Sequence, residues 1–202
     1  FVSKGCKIAD HGFDDFSDTQ NIEWLIEKCF EKGVVLQLHF GTFRNVNTAA
    51  FNKIGKDSGF DVFRASVDTD ALARLLDKMY TKLGGLPKII LYPLNDECLR
   101  AVCAISGAFP NVIVGAAWWF NDTVSGIKRQ LETVSEYAVL GTNLGMLTDS
   151  RSFSSYVRFD FYRRILSSFI ADKVDHGEYD EKSALALAKD IAYNNVKEVL
   201  GL

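Results

Sequence analysis

Apolar residues along this chain fall into two alternating rhythms: short runs rich in branched residues, and longer stretches in which apolar positions recur every three to four residues. Residues 6–10 read as a first strand, followed by a helix with Ile22, Leu25, Ile26 and Cys29 on one face that closes at Gly33. Residues 34–39 form a second strand ending in polar residues. A long polar, glycine-bearing connection follows, after which Thr69 is read as the cap of a helix that turns Leu72, Leu75, Leu76 and Met79 inward. The third strand, 89–92, leads to a short helix lined by Leu99, Val102 and Cys103. The fourth, 112–116, leads to a helix with Val124, Ile127, Leu131 and Val134 on one stripe. A fifth strand is expected at 144–147, running out into Asp149. Two helices close the chain, the first using Phe161, Ile165, Phe169 and Ile170, the second Leu185, Ala188, Ile191 and Val199.

Strands separated by helices of this length imply parallel pairing, so the class is α/β, with about five β-α units and extra terminal helices. Two architectures satisfy that order: part of a barrel, or an open doubly wound sheet. A complete eight-stranded barrel typically needs about 250 residues, and 202 residues leave three strands unaccounted for. The chain also starts at Phe1 without an initiator Met and enters a strand almost at once, so it reads as a piece of a longer one.

Composition narrows the function. With 48% apolar residues there is material for a core, and a net charge of −3 with 23 scattered Lys and Arg gives no basic footprint for nucleic acid or an anionic membrane. Cys6, Cys29, Cys98 and Cys103 stand singly, without metal or disulfide spacing, and are expected as reduced core thiols. No apolar run is long enough for a membrane span and no secretory layout opens the chain, so a cytoplasmic location is expected. Gly84-Gly85 lacks the strand-to-helix setting of a phosphate loop, and there is no nucleophile elbow, which argues against nucleotide cofactors.

Polar side chains collect at the strand ends, where parallel α/β folds place their chemistry. The densest group is Asp149-Ser150-Arg151. Asp149 offers a hard oxygen ligand or a proton acceptor; the same residue also serves as a helix cap. In an extended segment Arg151 faces the same side and is placed to neutralise an oxyanion, or to pair with the aspartate. His39 ends the second strand and can ligate a metal, relay a proton, or simply bond to its neighbours. Arg44 suits a two-point grip on a carboxylate. Asp10 and His11 are read as an orienting pair. Of Trp118 and Trp119, alternation allows only one to wall the pocket.

At these residues the chain resembles the uronate isomerases, also called glucuronate isomerases, of the metal-dependent amidohydrolase superfamily. The resemblance is carried by Asp10-His11-Gly12, Gln37-Leu38-His39 with Gly41 and Arg44-Asn45, Gly59-Phe60-Asp61, Trp118-Trp119-Phe120-Asn121-Asp122, the stretch 145–153, and Arg163-Arg164-Ile165-Leu166. It implies a TIM-type (β/α)8 barrel of which residues 1–202 are the carboxyl-terminal part, strands four to eight. It implies interconversion of glucuronate with fructuronate, and galacturonate with tagaturonate, by proton transfer between C2 and C1, in a full-length homo-oligomer acting on small uronic acids. By the same resemblance Asp149, Arg151 and His39 are catalytic, and Asp149 and His39 contact a divalent metal, zinc by family usage. Arg44, Trp118, Trp119, Ser150, Asp10 and His11 then lie around the substrate. The chain departs from the pattern in its length, in lacking the His-x-His pair of a first strand, in a shortened segment between Gly12 and Gln37, and in Phe159, where a histidine commonly follows the arginine. Other readings are a hydrolase of the same superfamily, whose metal-bound water attacks an ester or amide, and a fragment that binds sugar acids without turnover.

Overall fold

The fold rests on four strands that carry apolar residues on both faces, so each face of the sheet collects its own packing partners. A computed structural model describes residues 1–202. In chain order the elements are β1 (Ile8–Phe13), α1 (Gln20–Lys32), β2 (Val35–Phe40), β3 (Thr42–Phe43), α2 (Thr48–Ile54), β4 (Val62–Phe63), α3 (Thr69–Leu83), β5 (Ile89–Pro93), α4 (Leu99–Ala108), β6 (Val112–Val114), α5 (Val124–Tyr137), α6 (Val157–Asp175), α7 (Glu181–Lys189) and α8 (Asn195–Leu200). β1, β2, β5 and β6 form one parallel sheet in that spatial order. The order follows the chain without the reversal that a doubly wound sheet has at its switch point.

Paired residues in a parallel ladder project to the same side. Leu36, Leu38 and Phe40 on β2, Ile89 and Leu91 on β5, and Val112 and Val114 on β6 therefore join one core with the inward stripes of α1, α3, α4, α5 and α6. The opposite face carries Val35, Ile90 and Tyr92, and there Leu144, Leu147, Val196, Val199 and Leu200 pack instead. Helices thus cover one face, and the carboxyl-terminal turns lie over part of the other.

Local chemistry sets the helix ends. Asp68, not Thr69, caps α3, its carboxylate accepting from the Ala71 N–H at 2.9 Å; an aspartate satisfies an orphan amide there at least as well as a threonine. Gly33 ends α1 in the left-handed conformation, as its position predicts. The long connection after β2 is not irregular: it holds α2 and the antiparallel pair β3–β4.

The expected fifth strand does not form. Residues 143–150 make no ladder. Gly145 has φ 75°, and its N–H is taken by the Asn143 side chain at 2.8 Å, so the run turns where a strand must extend. The architecture is therefore an α/β fold with four parallel strands, and about five β-α units are not present as five paired strands. The last expected helix is also broken: a π-helical turn, Asp190–Asn194, separates α7 from α8, and Leu185 and Phe161 point to solvent while Tyr162 takes the inward position on α6. Cys29, Cys98 and Cys103 are buried free thiols, as expected, and burial pushes Cys103 up to about 12. Cys6 is only partly buried and hydrogen-bonds the Ile8 carbonyl at 3.3 Å.

Candidate active site

At the carboxyl end of the sheet, on the face away from the crossover helices, register aligns Gly12, His39 and Tyr92 across β1, β2 and β5. Two large rings need room, and glycines supply it. A Cβ on Gly12 would stand 2.2 Å from His39 Nε2, and one on Gly115, just past β6, would stand 2.2 Å from the Tyr92 ring. The histidine and tyrosine therefore each lie against a bare backbone.

Two residues before Gly12 on β1, Asp10 reaches across the ladder, and its Oδ1 is 3.0 Å from His39 Nδ1. A carboxylate only accepts, so Nδ1 carries the proton in this contact and the lone pair is left on Nε2. Tyr92 donates to Gln37 Oε1 at 3.1 Å. Its phenol is pushed well above the usual tyrosine range, first by burial and then by the charge of Asp10, so it stays a donor.

From His39 a series of rings leads outward. Trp118 meets the imidazole edge-to-face with centroids 5.3 Å apart, Trp119 follows at 5.6 Å, and the Arg44 guanidinium lies 5.5 Å from the centre of the Trp119 ring. Trp118 is 5% exposed and its indole N–H has no partner, a buried donor left for something else to accept. Trp118 belongs to a buried cluster with Tyr92 and Leu144 and Trp119 is 37% exposed, yet their rings lie against each other. Alternation fails because Trp119, at φ 51°, leaves the extended conformation and opens a short 3-10 turn.

Asp61 secures the outer end. One of its oxygens accepts from Arg44 at 2.8 Å and the other from the Asn45 N–H at 2.8 Å. Asp61 and Gln37 carried no assigned role in the sequence, and pairing across so many residues leaves no local spacing to find them by.

The structure places the remaining candidates less centrally. His11 is in register with Leu38, on the helix-covered side, with its ring 6.2 Å from that of Phe13; Asp10 therefore pairs with His39, and the Asp10–His11 pair is not formed. Ser150 accepts from the Ser152 N–H and the Ser155 hydroxyl, as a turn residue does. Asp149 and Arg151 are exposed and make no side-chain hydrogen bond or ion pair. Asp149 has φ 46°, so the chain bends there and the expectation that Arg151 lies on the same side loses its geometric basis. What locates this segment is Arg158, which donates to the Thr148 carbonyl at 2.7 Å and pairs with the nearly buried Asp122 on the loop after Trp119.

No three His, Cys, Asp or Glu side chains converge anywhere in the chain. Zinc sites use three or four protein donors, so these residues do not by themselves fit a metal centre. No helix is long and apolar enough to cross a membrane.

Comparison with known proteins identifies the family. The family profile for glucuronate isomerase matches residues 16–200. The uronate isomerase of Caldanaerobacter subterraneus subsp. tengcongensis is 35% identical over 240 residues, covering 100% of this chain and 51% of the relative. That of Staphylococcus haemolyticus is 38% identical over 238 residues, covering 96% and 50%. The crystal structure of uronate isomerase from Thermotoga maritima superposes with a TM-score of 0.90 at 29% identity, covering 99% of this chain and 51% of that one. The chain thus spans about half the length of the curated relatives it matches, and the matched stretch in them is longer than its 202 residues. On the profile match over residues 16–200, the chain belongs to the glucuronate isomerase family.

Proposed function

We propose that this chain is the carboxyl-terminal part of a uronate isomerase that interconverts glucuronate with fructuronate and galacturonate with tagaturonate. The observation that carries the reading is the unbroken series Asp10, His39, Trp118, Trp119, Arg44 at the carboxyl end of parallel strands. It combines a proton carrier, an apolar wall and a fixed cation, which is what an acidic sugar and a proton shift require.

In this reading the four strands and the 144–147 segment correspond to strands four to eight of a barrel, and the half that precedes them closes it. The in-order sheet and its one helix-covered face support that assignment. Asp10 fixes the tautomer of His39, whose Nε2 accepts or returns a proton at the sugar. Isomerisation removes the proton from C2, passes through an enediolate, and delivers a proton to C1 while the C2 hydroxyl becomes the ketone; no water is consumed. Arg151 opposes the charge on the enediolate oxygen, and Trp118 with Trp119 backs the sugar. Asp149 and His39 are the donors this half offers to a divalent metal, and the rest of such a site belongs to residues outside this chain.

The test is an isomerisation assay on the full-length protein with glucuronate and galacturonate, run beside lactone and amide hydrolysis. Ketouronate formation without hydrolysis is the expected outcome, with no turnover from residues 1–202 alone. Hydrolysis without isomerisation rules the reading out, and normal turnover by the isolated segment rules out the division of the site between two halves.

A further inference from the structure

Arg44 is held from two sides, as Arg64 and Lys173 are elsewhere, and it alone of the three is held against the ring series that leads to His39. Asp61 takes one guanidinium nitrogen at 2.8 Å, and the Trp119 ring lies beneath the guanidinium carbon at 5.5 Å. The two holders differ in exposure: the Asp61 side chain is 9% exposed and that of Arg44 45%, so the pair presents its positive half to solvent. Asp61 is itself held, since its second oxygen accepts the N–H of Asn45, a residue at φ 55°. Trp119 is held likewise: it stacks on Phe120 at 5.2 Å with an interplanar angle of 13°, and Phe120 meets Phe63 of β4 edge-on at 6.1 Å. The excursion between β2 and α3 and the turn after β6 thus meet through Arg44–Trp119 and Phe63–Phe120.

We propose that Asp61 is a positioning residue for substrate binding: it holds Arg44 over Trp119, so that the remaining guanidinium N–H groups are preset for the carboxylate of a uronic acid. The inference rests on the functional reading above and adds a residue to it. Arginine side chains lose substantial rotamer freedom when they grip a ligand, and holding one in place beforehand removes part of that cost. Arg44 also has Asp57 at 3.9 Å, but that carboxylate is 86% exposed and screened; the buried Asp61 is the one that can fix a geometry.

The experiment compares wild type, Asp61→Asn, Arg44→Met and the double variant in the full-length protein, by calorimetric titration with glucuronate and by steady-state kinetics. Asp61→Asn keeps an acceptor for the Asn45 N–H and loses the charge that holds Arg44. It is expected to weaken binding about three- to tenfold, to raise KM with little change in kcat, and to add nothing in the Arg44→Met background. Should Asp61→Asn fail to fold, Arg44→Lys carries the same prediction, because it keeps the charge and loses the fork. A third arm needs no substrate: tryptophan emission of the ligand-free protein should change in Asp61→Asn, and this change should vanish when Trp119 is replaced by Phe. A lowered melting temperature with unchanged affinity and unchanged emission overturns the proposal and leaves Asp61 a loop brace. An emission response in a protein that neither binds nor converts uronates supports the clamp and counts against the isomerase reading alone.

Discussion

The corner formed by Asp10, His39 and Trp118 and the segment 148–151 each carry an aspartate but are built by different means. In the corner, β1 and β2 pair along their whole lengths, so the distance between carboxylate and imidazole follows from backbone register. Around Asp149 no ladder exists; a left-handed residue bends the chain, and the Arg158 bond to the Thr148 carbonyl is the main tether. The imidazole of His39 is thus placed by the sheet, while the exposed Asp149 and Arg151 are placed by a tethered loop.

The largest expected effect tests the loop half. Arg151→Met in the full-length protein should lower turnover by about two powers of ten or more with the melting temperature unchanged, if the guanidinium stabilises developing charge. An equal loss of folding would make Arg151 a structural ion-pair partner and erase the contrast between the regions. Next comes the sheet half. In Gly12→Ala the new methyl would collide with the His39 ring, which costs about 1–3 kcal/mol of stability and, by displacing the imidazole, lowers turnover by up to about a hundredfold. Urea melts and kinetics of one preparation check both; an alanine tolerated without loss would show that the ring is not seated on that backbone. Gly145→Ala probes the loop's frame. Its Cβ would stand 2.6 Å from the Ile191 carbonyl at a residue with φ 75°, so destabilisation of about 1–2 kcal/mol is expected, with kcat lowered less than by Gly12→Ala.

Much of the sheet half was legible in the sequence. The runs at β1, β2, β5 and β6 and the stripes of α1 and α3 stand where the apolar rhythm puts them, within a residue or two at most ends, and α5 turns Ile127, Leu131 and Val134 inward but leaves Val124 exposed. His39 and Arg44 were singled out by position at a strand end, and the structure brings both into the series of contacts. The loop half was not legible, because 144–147 has the composition of a strand while Gly145 and the Asn143 side chain divert its backbone. The contact between the Trp118 and Trp119 rings was hidden for a similar reason: alternation is a rule for extended chain, and a positive φ suspends it. Asp61 and Gln37 act through partners 17 and 55 residues away, beyond the reach of any periodicity.

The smallest expected effect concerns how firmly the sheet half holds its polar layer. Tyr92 is 5% exposed and donates to Gln37; Tyr92→Phe leaves the Gln37 oxygen without that donor and should cost about 1 kcal/mol at neutral pH. Its pH dependence has a definite sign. The phenol is raised in the folded protein by burial, so as pH climbs past about 10 the unfolded chain gives up the proton first. The folded state then binds more protons than the unfolded, and stability falls by about 1.4 kcal/mol per pH unit until the folded phenol titrates. Phenylalanine has nothing to ionise. The advantage of wild type over Tyr92→Phe should therefore be full below pH 10, shrink above it, and reverse within about one further unit, as read from urea denaturation midpoints at pH 8, 10 and 11. A difference that stays constant across that range would mean the ring is reached by water and the layer of Gly12, His39, Tyr92 and Gly115 is not closed, which would remove the ground for treating His39 as fixed by the sheet.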